Sequence, residues 1–192
     1  MIDDIRTKIA RSRYSEHSFP AYRFTPGRDP HPTANPEGHS YEPPGAPPRH
    51  HEIISPDKWR ECEPYLFACD LYNHAYWWEA HEEWEGIWKG FSKRSAPREF
   101  LQGLIQVSAC HLKLYLGHSD GVARLRQSSA EHLRAAIVDL PDSDCMGIDV
   151  ACFLESAQSY FDRCAPSCTH ETGLYPYIRL DALPNRALQA TN

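Results

Sequence analysis

NHAYWWEAHEEWEGIWKGF, residues 73–91, holds four of the chain's five tryptophans beside two histidines and four glutamates. If it is helical, at about 100° per residue, Trp77, His81, Trp84, Glu85 and Trp88 share one side, with His74 and Trp78 flanking. Glu79 and Glu83 fall opposite. A helix buries its apolar side, so the wheel predicts that the tryptophans carry His81 and Glu85 inward and that Glu79 and Glu83 form a solvated face. A carboxylate taken out of water must be paired, hydrogen-bonded or protonated. His81 stands one turn before Glu85, where the two side chains can meet. This pair is the leading functional candidate. The plainer alternative is an aromatic core in which the two groups satisfy each other or nearby backbone.

On the N-terminal side, Ser55-Pro56 has the form of a helix start, and Trp59, Leu66 and Leu71 give an apolar side to about Tyr72. On the C-terminal side, Gly90 ends the tryptophan helix and Pro97 opens the next, which runs to Gly117. That helix is apolar on most of its circumference, as a central helix should be. Its polar exceptions are Gln102 and Gln106, one turn apart, together with Lys113 and His111. A fourth helix starts at Ser119 or Asp120, carries the stripe Val122, Leu125, Ser129, Leu133 and Ala136, and stops before Pro141. A fifth runs from about Asp149 through Val150, Phe153, Ala157 and Phe161. YPYIRL, residues 175–180, alternates apolar and polar and reads as a strap, because a lone strand forms no sheet.

The expected class is all-α: an antiparallel bundle of about five helices with a proline-rich N-terminal arm and an extended C-terminal strap, and with no sheet. The expected organisation is a short helix within 1–19 (Ile2, Ile5 and Ile9 on one face), an arm at 20–55, the bundle at 56–165 and a tail at 166–192. Nine of the sixteen prolines lie between Pro20 and Pro48. Tyr22, Phe24, His31, His39 and Tyr41 are interspersed there and favour an arm laid on the bundle.

The 192 residues, 41 % hydrophobic, suffice for a real core. A net charge of −6 with scattered basic residues argues against nucleic acid and anionic membrane as partners. There is no bilayer-spanning apolar run, and MIDDIRTKIARSR lacks the apolar segment of a secretory signal, so the expected compartment is the cytoplasm. The composition leaves a homo-oligomer open. Seven cysteines, an odd number, speak against a disulfide framework. Cys62, Cys69, Cys110 and Cys152 read as small core residues. Cys164, Cys168 and His170 lie close enough in CAPSCTH to suggest part of a zinc site, but without a second ligand pair.

EAHEEWEGIW at 79–88, REFLQGLIQVSACHLKLYLG at 98–117 and the Gly121-Val-Ala-Arg-Leu start of the next helix together resemble domain-of-unknown-function family 309. The resemblance covers roughly Pro56 to Leu140. It implies an all-α bundle and brings the loose label of a predicted metal-dependent hydrolase. Carried over by position, the family's His-Glu-x-x-Glu-x-x-Trp pattern falls on His81, Glu82, Glu85 and Trp88. Its Gln-Gly-x-x-Gln pattern falls on Gln102, Gly103 and Gln106. Gly103 reads as a point where a neighbouring helix comes close.

Two functions use these residues differently. In the first, an aromatic pocket with a buried cluster of His81, Glu82, Glu85, Trp88, Gln102 and Gln106 binds a small polar ligand, or the cluster is only a structural network. In the second, His81 and Glu85 hold a divalent metal ion, with Glu82 or His111 completing the shell, for hydrolysis. The spacing matches neither the His-Glu-x-x-His of zinc proteases nor the paired Glu-x-x-His of di-iron bundles.

Overall fold

The computed structural model describes residues 13–46, 55–167, 169–170 and 175–180. The expected N-terminal helix at Ile2–Ile9, Cys168 and the end of the tail lie outside them. Proline decides where the first helix begins. Pro56 opens a 3-10 turn, Pro56–Glu61, and α1 follows as Glu63–Asn73 with Pro64 in its first turn. A proline ring excludes a continuous helix upstream but is tolerated at a start, so the single helix expected from Pro56 is broken in two.

The remaining helices are α2 (Trp77–Trp88), α3 (Ala96–Tyr115), α4 (Ser119–Val138) and α5 (Val150–Cys164). They form an antiparallel bundle in which α3 packs along α4, α2 lies against α3, α1 against α2, and α5 against α4. A Cβ on Gly103 would stand 2.5 Å from the Leu133 side chain, so the missing side chain is what admits α4. Gly117, at φ 73°, ends α3 while His118 N–H returns to the Lys113 carbonyl at 2.9 Å, the left-handed stop that favours glycine. Asp149 caps α5 by accepting Cys152 N–H at 3.0 Å.

Three expectations need correction. A minimal antiparallel ladder, β1 (Asp144–Cys145) with β2 (Ile148–Asp149), occupies the α4–α5 connection, because the turn at Met146-Gly147 brings the two dipeptides together. Cys152 is exposed, since the buried side of α5 is Val150, Phe153, Leu154, Ala157 and Phe161. Tyr22 turns back into the arm, donating to the Pro30 carbonyl at 2.7 Å, whereas Phe24 is buried, at 6 % exposure.

Two polar residues of α1 fasten the chain's extended parts. Buried Asp70 accepts from Tyr14 N–H at 2.8 Å, Ser15 N–H at 2.9 Å and Ser15 O–H at 3.0 Å. Asn73 treats the strap as a neighbouring strand would. Its amide donates to the Ile178 carbonyl and its oxygen accepts Ile178 N–H, both at 2.8 Å. Pro176, Ile178 and Leu180 are buried while Tyr177 and Arg179 face out, the alternation expected of a strap, and Tyr175 before them is buried as well.

Candidate ligand and metal site

The helix α2 begins at Trp77, not Asn73, and its buried ridge is Trp77, Ala80, Trp84 and Ile87. His81 and Glu85 sit at the edge of that ridge, with side chains 29 % and 36 % exposed. They are therefore not buried as the wheel predicted. Trp77 and Trp84 enter the interface without them: Trp77 stacks on His111 (centroids 5.2 Å, 14°) and on His170 (4.7 Å, 5°), and Trp84 packs against Tyr72.

The solvated face is also reassigned. Glu79 is 5 % exposed because the arm covers this side of α2. Its Oε1 accepts Phe24 N–H at 2.7 Å and lies 3.1 Å from His39 Nε2. A helical wheel shows which residues share a side, but not whether a distant segment will cover it. Glu83 is half-buried.

His81, Glu82 and Glu85 do converge. Each offers one ligand atom, and these atoms lie within 4.8 Å of one another. His81 Nδ1 is 3.5 Å from Glu82 Oε1, and His81 Nε2 is 3.8 Å from Glu85 Oε2. Such separations are too long for strong hydrogen bonds, so the three do not satisfy one another as a structural network would. Lys89 Nζ takes Glu85 Oε1 at 2.9 Å, which leaves Oε2 turned toward the imidazole. An imidazole and two carboxylates form a donor set suited to a divalent ion, and the residues present fit one.

Beside this trio lies a cleft of about 840 Å³ between the arm, α1 and α2. Glu82 and Glu85 border it, as do Glu79, Glu83, Trp78 and, from the arm, His39.

The other expected site residues have different surroundings. Trp88 is half-buried, with the Arg98 guanidinium 3.7 Å over its ring. Arg98 also donates to the Trp88 and Phe91 carbonyls at 3.0 and 2.7 Å, closing the C-terminus of α2. Gln102 and Gln106 are half-buried on α3. No hydrogen bond joins either glutamine to His81 or Glu85, and Gln106 Oε1 is buried without a partner, among the described residues.

His111, considered as a further ligand, is fully buried. Its Nε2 lies 3.1 Å from the Tyr72 hydroxyl, whose own proton goes to the Pro176 carbonyl at 2.8 Å. His111 therefore carries its proton on Nε2. Burial, reinforced by His170, holds its pKa well below the ordinary value. His170 is committed at both nitrogens, to the Tyr160 hydroxyl at 2.5 Å and the His111 carbonyl at 2.9 Å, so it has no lone pair for the zinc suggested by CAPSCTH.

Asp70, Asn73 and the pairing of Glu79 with His39 are the important polar features that the sequence reading missed. Asp70 and Asn73 follow Leu66 at four and seven residues, on its stripe. Two polar groups on an apolar stripe were the available signal. Nothing local marks the pairing of Glu79 with His39, which meet across forty residues.

Among the described residues no helix is long and apolar enough to cross a membrane. No curated protein and no solved structure matches the chain. Residues 65–125 match the model of a family described as a domain of unknown function (DUF309), so this part of the chain is similar to the family that its His-Glu-x-x-Glu and Gln-Gly-x-x-Gln patterns resemble.

Proposed function

We propose that the cleft along α2 binds a small polar ligand and that His81, Glu82 and Glu85 hold a divalent ion at its rim. The observation that carries this reading is the approach of three potential ligand atoms to within 4.8 Å at the border of a cleft. Exposed ion pairs of this kind contribute little to stability, so folding alone gives weak reason to gather them. Three protein ligands leave coordination positions for water or a bound molecule, as sites that act on ligands do. When bound, a divalent ion supplies Lewis acidity and a water of lowered pKa, the chemistry of hydrolysis.

The chain's own residues set the geometry. His81 and Glu85 are one turn apart on a rigid helix, Glu82 lies between them, and Lys89 fixes the orientation of the Glu85 carboxylate. Trp84 and Trp77, buried beneath, keep that helix in place.

Calorimetric titration of the full chain with Mn²⁺ tests the reading. A single saturable site is expected, weakened by about tenfold or more in His81→Ala and in Glu82→Ala. The absence of saturable binding, or variants that bind as the wild type does, contradicts it.

A further inference from the structure

The ion site leaves the most unusual carboxylate of the cleft unused. Glu79 is buried, and its two oxygens are treated unequally. Oε1 receives Phe24 N–H and faces His39 Nε2. His39 Nδ1 lies 2.8 Å from Ser40 Oγ. The imidazole thus bridges Ser40 and Glu79, with Nε2 facing Oε1 at 3.1 Å. Oε2 has no hydrogen-bond partner among the described residues, although Glu79 borders the cleft. A carboxylate oxygen shielded from water and given no donor is costly, and this one belongs to a residue that lines the cleft.

The surroundings indicate what kind of donor is missing. Glu42, Glu79, Glu82, Glu83 and Glu85 border the cleft, while Lys89, its one lysine, is bonded to Glu85. A field of that sign repels anions and concentrates cations. Trp78 adds an aromatic wall, held by ring contacts from Phe24 and His31 at 5.2 and 5.5 Å. Aromatic faces attract ammonium groups and the carbon chains that carry them.

We infer that the cleft recognises a small organic ammonium ion, whose N–H groups donate to Glu79 Oε2 and whose carbon chain lies along Trp78. This rests on the reading of the cleft as a ligand site, but it does not require the divalent ion at the rim. Glu79 is not one of the three residues that would hold that ion.

The test uses putrescine as the probe and butanediol, of equal length and uncharged, as the control. The full chain is titrated calorimetrically in about 0.15 M salt, where weak surface attraction is screened, with a chelator present throughout. Saturable binding of putrescine and none of butanediol is expected. Glu79→Gln keeps an acceptor for Phe24 and His39 but replaces Oε2 with an amide donor. Putrescine affinity is expected to fall about tenfold or more in this variant, with the melting temperature retained. No saturable putrescine binding, an equal response to the two probes, or undiminished affinity in folded Glu79→Gln overturns the proposal. The wild-type contrast stands without any variant. Because the chelator removes the ion, a failure of the metal reading leaves this outcome unaffected.

Discussion

Two neighbouring helices hold acidic or amide groups out of water in opposite ways. On α1, Asp70 and Asn73 are saturated: three donors from Tyr14 and Ser15 meet Asp70, and both polar ends of Asn73 are matched by Ile178. On α2, Glu79 has one oxygen doubly engaged and the other without a donor among the described residues, while His81, Glu82 and Glu85 approach one another without bonding closely. On the function proposed, the difference separates polar groups that build a fold from polar groups kept for a ligand. A saturated buried group has nothing left to offer a ligand, whereas an unsaturated one beside a cleft does.

The comparison can be broken first in the interior that both helices share. Trp77→Ala removes the ring stacked between His111 and His170 and is expected to cost about 3–5 kcal/mol in denaturant unfolding. Asp70→Ala strands the donors of Tyr14 and Ser15 and is expected to cost about 1–3 kcal/mol, with faster proteolysis of the segment around residue 15. A loss no larger than that of an ordinary surface substitution would show that α1 is not the anchor described here.

His111 sharpens the comparison through pH. Its folded-state pKa is depressed from 6.5 by burial and then by His170. The unfolded chain therefore takes up this proton first, so the contribution is fully present above about pH 6.5 and is lost as pH falls toward the folded value. Stability is expected to drop by up to about 1.4 kcal/mol per pH unit below that point, and less steeply in His111→Gln. The smallest effect is expected at the cleft. Glu79→Gln leaves Oε1's partners in place and should change stability by less than about 1 kcal/mol, or raise it, since sites hold groups that folding alone does not favour. A loss as large as that of Asp70→Ala would place Glu79 among the structural anchors.

Much of the bundle was legible because its signals are local. Pro97 and Gly117 bracket α3, Asp149 caps α5, and the alternation of YPYIRL describes the strap from Pro176 on. The placement of the α2 polar groups was not legible. The wheel correctly grouped Trp77 and Trp84 but centred the buried side too near His81 and Glu85. It also left Glu79 to solvent, because burial on that side comes from Phe24 and His39 in an arm without periodicity. The break before α1 could have been read from Pro64. The pairing of Asn73 with Ile178 spans 105 residues and has no local trace.

The most direct test of the central claim, that the α2 edge is kept for a ligand, is the metal content of the full chain purified without chelator or affinity tag, measured by elemental analysis beside His81→Ala prepared identically. The account predicts close to one divalent ion per wild-type chain and its loss from a variant that remains folded. A metal-free wild type, or equal metal in the two proteins, would contradict it.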